Sequence, residues 1–334
     1  MDSATAQNIL VTGGAGYIGS HAVLALIAAG HTPVVIDNLV TGFRWAVPPQ
    51  VSFIEGDVAD EALVAQSIAE HKIDAIMHFA GSVVVPESVE DPLKYYRNNT
   101  AATRSLIDAA ISSGVRHFIF SSTAATYGIP DETPVREDTP QRPINPYGTS
   151  KLMSELMLDD VAAAHDFNYC ALRYFNVAGA DPQGRTGQST AGATHLIKVA
   201  VEAALGKRDE VGIFGTDFDT PDGTGVRDYI HVSDLADAHV LALDALRAAP
   251  EKSYRLNCGY GHGYSVVQVL DAVDRVTGNR IQRRMEGRRA GDPDQLISDN
   301  AAITREFGWQ PKYNDLDLIV THALQWEAEL ERRG

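Results

Sequence analysis

Two cysteines in 334 residues are too few for a disulfide framework. Cys170 and Cys258 lie in apolar or glycine-rich surroundings, with no cysteine or histidine at metal-ligand spacing, so both are expected to be ordinary buried thiols and no metal site is expected. No run of about 18 apolar residues occurs, which excludes a membrane-spanning helix. Positive charge is scarce: 28 Lys and Arg stand against 44 Asp and Glu, and the net charge of −16 opposes nonspecific attraction to nucleic acid. A local basic pocket for an anionic small molecule remains compatible with it. Met1 to Asn8 lacks the basic region, apolar core and small-residue cleavage site of a secretory signal, so a cytoplasmic location is expected. Internal repeats and low-complexity tracts are also missing. The 44% of apolar and 22% of charged residues are typical of a globular protein. The length predicts one large domain with a smaller companion, or two of similar size.

Asn8-Ile9-Leu10-Val11 reads as a strand, Thr12 to Gly19 as a glycine turn, and the Ala-rich stretch ending near Gly30 as a helix. The glycines fit both G-x-G-x-x-G from Gly14 and G-x-x-G-x-x-G from Gly13, a pattern that lets backbone approach a pyrophosphate at a helix N-terminus. Pro33–Ile36 delivers Asp37 at a second strand end, where a carboxylate can accept bonds from an adenosine ribose and repel a 2′-phosphate, which favours NAD over NADP. Arg44 nearby reads as a solvated loop arginine. Val51–Glu55 is a third strand, followed by Asp57-Val58; the aspartate suits an adenine edge or a simple turn. Glu61–His71 is helical, Ala75–Phe79 is a fourth strand, and Phe79-Ala80-Gly81 puts small residues at its end. Asp91–Ser113 is expected to be one long helix in which one of Asn98 and Asn99 bonds backbone near the cofactor. His117–Ser122 is a fifth strand ending in Ser121-Ser122-Thr123. This alternation implies an α/β fold, a doubly wound parallel sheet of the Rossmann type with ligand at the carboxyl ends of its strands.

Gly128–Pro146, rich in Pro, Asp and Glu, reads as an irregular surface loop. In Asn145-Pro146-Tyr147-Gly148-Thr149-Ser150-Lys151, Asn145 is a good N-cap and Pro146 suits the first helical position. Tyr147 and Lys151, at i and i+4, then share a helix face. Roughly one free tyrosine in a thousand is phenolate at pH 7, so a tyrosine acting as a base needs about 4 kcal/mol of differential stabilisation. A neighbouring ammonium and a cationic nicotinamide ring supply such stabilisation. Thr123 can meet Tyr147. Tyr169–Tyr174 is a sixth strand, after which the alternation weakens: Thr194–Leu205 is a helix, Val226–Val232 a strand, Leu235–Leu246 a helix and Tyr254–Cys258 a strand. The last third holds the basic cluster Arg283, Arg284, Arg288 and Arg289.

Thr12–Gly19, Asp37-Asn38, His78–Gly81, Ser121–Thr123, Tyr147–Lys151, Leu172–Asn176, Asp222–Val232 and Arg288–Asp292 together resemble the extended short-chain dehydrogenase/reductases, and within them the UDP-glucose 4-epimerases. The resemblance covers nearly the whole chain. It implies an NAD-dependent isomerase in which Tyr147 takes the proton of the sugar 4-hydroxyl while C4 hydride passes to NAD. The 4-ketose then turns over and hydride returns to its other face. Lys151 would bond the nicotinamide ribose and lower the tyrosine pKa, and Thr123 would bond the same sugar oxygen. The resemblance further implies cofactor contacts from Gly13, Gly16, Tyr17, Ile18, Gly19, Asp37, Asn38, Asp57, Val58, Phe79, Ala80, Gly81, Asn98 and Phe175. For the substrate it implies Arg227 and Arg289 on the diphosphate, Asp292 on the uridine ribose and Asn176 near diphosphate or sugar, with His195, Leu196, Ile213 and Phe214 alongside.

Related sugar-nucleotide dehydratases carry an acidic pair after the threonine; here Ala124-Ala125 follows, which argues for epimerisation. Val83 stands where some epimerases have lysine. Leu296 stands where epimerases strict for UDP-glucose and UDP-galactose have tyrosine, which predicts room for UDP-GlcNAc and UDP-GalNAc. Alternatives are a UDP-glucuronate or UDP-xylose 4-epimerase, a plain dehydrogenase with dissociable cofactor, and a noncatalytic NAD-binding regulator. The expected domains are an NAD-binding Rossmann domain at 1–177, with 226–258 returning to it, and a smaller α/β UDP-sugar-binding domain capping the substrate at 178–334. The resemblance also implies a homodimer that pairs helices near Asp91–Ser113 and Tyr147–His165.

Overall fold

The computed structural model describes residues 6–289 and 291–333. The first five residues of the polar amino-terminal stretch, Ala290 of the Arg288–Asp292 motif, and Gly334 lie outside the described residues. The chain divides into two units. The first takes the chain up to Thr126 with Asn145–Arg173 and Ala236–Leu256; the second takes Tyr127–Ile144, Tyr174–Leu235 and the chain from Asn257 onward.

In the first unit the short β-branched and apolar runs form strands: β1 (Asn8–Thr12), β2 (Thr32–Asp37), β3 (Ser52–Glu55), β4 (Ala75–His78), β5 (His117–Thr123) and β6 (Asn168–Tyr174). With β11 (Tyr254–Cys258) they make a seven-stranded sheet in the order β11-β6-β5-β4-β1-β2-β3. Strands β1 to β5 pair in parallel, and the order reverses between β1 and β4, which opens a crevice at their carboxyl ends. Around the sheet run α1 (Tyr17–Ala28), α2 (Glu61–His71), α3 (Val85–Glu90), α4 (Pro92–Tyr95), α5 (Ala102–Ser112) and α6 (Pro146–Ala164). Leu10, Ile36, Ile76, Phe118 and Phe120 from the sheet close on Leu106 and Leu158 from the helices, which accounts for strands buried on both faces.

The expected Asp91–Ser113 helix is interrupted. Tyr96–Ala101 winds as a π-helix between α4 and α5. The wider turn aims Asn99 inward: its Oδ1 accepts from Ser82 N at 2.7 Å, and its Nδ2 donates to Ser82 O and to Ser150 Oγ, each at 3.0 Å. A tertiary demand thus overrides regular winding, as π-turns often do near functional sites.

The second unit holds three smaller sheets. β7 (Asn176–Ala178) pairs in parallel with β10 (Tyr229–His231), and β8 (Val211–Phe214) with β13 (Arg283–Glu286). β9 (Val226–Arg227) lies between β12 (Tyr264–Ser265) and β14 (Gln295–Leu296). The single strand expected over Val226–Val232 is therefore two strands in different sheets, broken at Asp228, and α8 (Val232–Ala248) begins directly after the second. The remaining helices are α7 (Leu196–Ala204), α9 (Val266–Thr277), α10 (Ala301–Phe307) and α11 (Leu316–Arg333). Ser265 and Gln268 form a capping box that starts α9. Among the described residues no helix is long and apolar enough to cross a membrane. Cys170 and Cys258 are buried free thiols.

Candidate active site

The turn after β1 is shaped for an anion. Gly13 adopts φ +69°, a region that disfavours any residue with a Cβ, and a Cβ there would stand 2.6 Å from Ala80 N. Gly16 precedes α1 as its N-cap without any side-chain cap, so no capping side chain covers the positive end of the helix dipole. A Cβ at Gly16 would meet only Gly13 O, at 3.2 Å, so protein atoms do not fill that side of the turn. Tyr17, Ile18 and Gly19 open the helix. Asp37 ends β2 and ties this turn to the loop after its own strand: Oδ2 accepts from Ala15 N at 2.9 Å and Oδ1 from Leu39 N at 2.8 Å. Burial pushes its pKa up and the two backbone bonds pull it down. Each oxygen keeps a further lone pair for a ribose hydroxyl. This accepting carboxylate and the uncapped helix fit a dinucleotide.

Other candidates of the first unit differ in character. Asp57 is exposed and its Oδ1 accepts from Ala59 N at 2.9 Å, a turn contact, while Val58 after it is buried. Asn38 Oδ1 accepts from Val40 N at 3.2 Å. Phe79 and Ala80 are half-buried and Gly81 is exposed at the end of β4. Asn98 donates to Ser82 Oγ at 3.1 Å, so both asparagines of the π-turn hold Ser82, and Asn99 is the one on backbone. Arg44 is exposed, with its guanidinium 4.6 Å from the centre of the Phe53 ring.

The helix carrying Tyr147 starts as its sequence predicts. Asn145 Oδ1 caps it by accepting from Gly148 N at 2.8 Å, and Pro146 takes the first helical position. Tyr147 and Thr123 are joined by a side-chain hydrogen bond between their hydroxyls. Burial pushes the Tyr147 phenol above its ordinary value and the Thr123 bond draws it down. The Tyr95 ring stands edge-on to Tyr147, with centroids 6.4 Å apart. Lys151, one turn later and only 3% exposed, donates Nζ to Ser121 O at 3.0 Å. Burial lowers its pKa to about 8, while the charge of Glu155 pulls it up.

Glu155 continues the same face. It accepts from Arg173 Nε at 3.0 Å and Nη2 at 2.6 Å, and from the Ser122 hydroxyl. Successive residues of β5 are thereby gripped from α6: Ser121 by Lys151 and Ser122 by Glu155, directly before Thr123. His78 lies under this arrangement at 1% exposure, its ring nitrogens bonded to Thr12 Oγ1 at 2.6 Å and Thr103 Oγ1 at 2.8 Å. Burial, then the Lys151 charge, lowers its pKa to about 3, so it is neutral. Sequence reasoning gave Glu155, Arg173 and His78 no role. The available signal was a glutamate four residues beyond Lys151 and an arginine inside an apolar strand, two charges that must find each other if both are buried.

In the second unit Arg227 and Leu296 are register partners across β9 and β14. Arg227 donates Nη1 to Val226 O at 2.8 Å and stands 3.5 Å from Asp292 Oδ1. The Arg289 guanidinium lies 3.7 Å from the centre of the Phe214 ring, a cation–π contact, while Ile213 is buried in the core. Asn176 is exposed at the start of β7 and Phe175 before it is half-buried. His195 is the residue before α7, its Nδ1 3.4 Å from Gln188 Nε2, and Leu196 opens that helix. Val83 is exposed in the first unit.

The chain belongs to the NAD dependent epimerase/dehydratase family, which matches it over residues 9–259. Within that family it is similar to UDP-glucose 4-epimerases. The one from Azospirillum brasilense is 55% identical over 330 residues, covering 99% of this chain and 94% of its own. The crystal structure of the Brucella ovis UDP-glucose 4-epimerase in complex with NAD matches with a TM-score of 0.93 at 46% identity, covering 96% of this chain and 98% of the other. A UDP-Glc/GlcNAc 4-epimerase from Campylobacter jejuni matches with a TM-score of 0.85 at 49% identity, covering 97% and 99%.

Proposed function

We propose that the protein interconverts UDP-glucose and UDP-galactose by transient oxidation at sugar C4. The observation that carries this reading is the hydroxyl pair of Thr123 and Tyr147 with Lys151 one turn along the same helix. Bound NAD supplies the hydride acceptor and donor. Tyr147 takes the 4-hydroxyl proton and returns it after the 4-keto sugar has turned over, and Thr123 orients the sugar oxygen. Burial alone holds the phenol protonated, so the ammonium of Lys151 and the positive charge of the nicotinamide are what make proton transfer feasible. Gly13, Gly16 and the open end of α1 receive the pyrophosphate, and Asp37 with Asn38 the adenosine ribose. Gly81 and Asn98 line the nicotinamide side, with Phe79, Ala80 and Phe175.

The first unit is the NAD-binding part in this reading, and the second takes the UDP-sugar. There Arg227 and Arg289 neutralise the diphosphate, Asp292 accepts from the uridine ribose, and Asn176 bonds diphosphate or sugar. His195, Leu196, Ile213 and Phe214 belong to the same region. Affinity resides in the nucleotide so that the sugar stays free to rotate. Ala124-Ala125 after Thr123 leaves elimination without an acid. Leucine at 296 favours acceptance of the N-acetylated pair as well, an activity carried in the name of the Campylobacter jejuni relative.

A cytoplasmic homodimer completes the reading. Val89 is 63% and Leu93 77% exposed on α3 and α4, and Met153 is 42% and Leu156 54% exposed on α6, a set of apolar side chains that a second copy would cover. Sedimentation of the purified protein at the mass of two chains is expected. The test of function is incubation with UDP-galactose and no added NAD, following UDP-glucose. Conversion on retained cofactor is expected. No conversion by protein that demonstrably holds NAD would move the assignment to uronate or pentose nucleotides.

A further inference from the structure

Resting on the reading that the second unit takes the UDP-sugar, we propose that Asp228 is a positioning residue for nucleotide-sugar recognition, one that brings Asn176, Arg227 and Leu296 together from three separate segments. Its backbone already joins two of them: its N–H donates to Leu296 O at 3.2 Å, and its carbonyl accepts from Asn176 N at 2.9 Å. Arg227 is its chain neighbour and the register partner of Leu296. Tyr229, on its other side, is the register partner of Asn176. The strand break at Asp228 is therefore what lets adjacent residues join two different sheets.

The side chain holds this junction in place. Fully buried, it accepts from Tyr260 N at 2.9 Å through Oδ1, and from Gly261 N at 3.1 Å, Ser298 N at 3.2 Å and Ser298 Oγ at 2.7 Å through Oδ2. All four partners are donors, so the site calls for a group that only accepts. A carboxamide would turn an NH2 toward a donor on one side or the other. Ser298 lies two residues beyond Leu296, so its two bonds fix the segment that carries Leu296. Burying a carboxylate is costly, and apolar packing ties loops together without that penalty. What the carboxylate adds is a fixed direction for each donor, and with it fixed places for the three residues around it.

The test titrates UDP into the NAD-retaining protein and its Asp228→Asn and Ser298→Ala variants, with steady-state epimerisation alongside. Asp228→Asn is expected to weaken UDP binding about tenfold and raise KM similarly, with kcat within about twofold and retained NAD unchanged. Ser298→Ala is expected to weaken UDP about threefold. The ratio of turnover on UDP-N-acetylglucosamine to that on UDP-glucose should shift in both, which a loss of stability alone would not produce. Wild-type affinity for UDP in folded Asp228→Asn overturns the proposal, as does a fall in kcat at unchanged affinity. Should that variant fail to fold, Ser298→Ala decides: weaker UDP supports the proposal and unchanged affinity overturns it. Wild-type protein that binds no UDP overturns the underlying reading as well, and does so before any variant is made.

Discussion

Glu155 closes on Arg173 through two guanidinium nitrogens where neither side chain is more than 2% exposed, and it does so four residues from Lys151 on the same helix. Among the described residues, those set about Lys151 are neutral His78 from β4, the Ser121 carbonyl and the Phe120 ring from β5, Tyr147 one turn before it and Glu155 one turn after it on its own helix, and Asn99 from the π-turn, with Arg173 from β6 held on Glu155. Glu155 is the anion of this set.

Glu155→Gln should therefore lower the Lys151 pKa below its value of about 8, because burial keeps acting and the opposing charge is gone. Activity that needs the ammonium is then lost at lower pH, and the alkaline limb of the kcat profile moves toward neutrality. The uncompensated Arg173 also costs about 3–5 kcal/mol of stability. A limb at its wild-type position in folded variant would mean that Glu155 only packs.

Tyr147→Phe should reduce conversion of UDP-galactose about a thousandfold while retained NAD, measured after denaturing the protein, stays at its wild-type content. Thr123→Ser should keep most of the activity, since either hydroxyl bonds Tyr147 and a sugar oxygen. Thr123→Val should lose most of it. Equal losses in Ser and Val variants would remove the hydroxyl from the mechanism.

At Gly19 an added Cβ would stand 2.2 Å from Gly13 O and 2.9 Å from Gly14 Cα, both backbone atoms that cannot step aside. Gly19→Ala is expected to push α1 off the turn, lowering the melting temperature and releasing NAD during gel filtration. Gly30→Ala is the control: it meets nothing within 4 Å and carries only the strain of φ +86°, about 1–2 kcal/mol. It should keep its cofactor.

His78 links pH to stability. Its folded pKa of about 3 lies below the ordinary 6.5, so the folded state favours the neutral ring. That contribution is complete above about 6.5 and drains away as pH falls toward about 3, with a slope near 1.4 kcal/mol per pH unit from this residue. His78→Gln should be less stable at neutral pH and lose stability less steeply on acidification. Urea unfolding at stepped pH measures both. Parallel curves for the two proteins would exclude His78 as the source.

Leu296→Tyr should cut turnover of UDP-N-acetylglucosamine about tenfold or more while leaving UDP-galactose conversion close to wild type. Equal effects on both sugars would mean that residue 296 does not gate the N-acetyl group.

Local signals made much of this legible in the sequence. Asn145, Pro146 and the i, i+4 spacing of Tyr147 and Lys151 predict a capped helix from neighbouring residues alone, and that helix forms. The glycine turn and Asp37 follow the same logic. What escaped depends on partners distant in the chain. The π-turn forms because Asn99 bonds Ser82 and Ser150, residues 17 and 51 positions away. The run at Val226–Val232 reads as continuous strand because nothing local reveals that Asp228 is buried among donors from Tyr260, Gly261 and Ser298. Leu296 and Arg227 were each singled out as candidates, yet only the sheet register shows them side by side.

The interleaving of the two units also orders events during synthesis. The glycine turn is made well before β11, the edge strand beside β6, which ends at Cys258. The ribosome must therefore deliver the Tyr127–Ile144 and Tyr174–Leu235 segments of the second unit before the seven-stranded sheet can be completed, and β6 waits meanwhile with one side unpaired. A nascent chain in that interval exposes the unpaired N–H and C=O groups of β6, an edge open to pairing with other chains until β11 arrives.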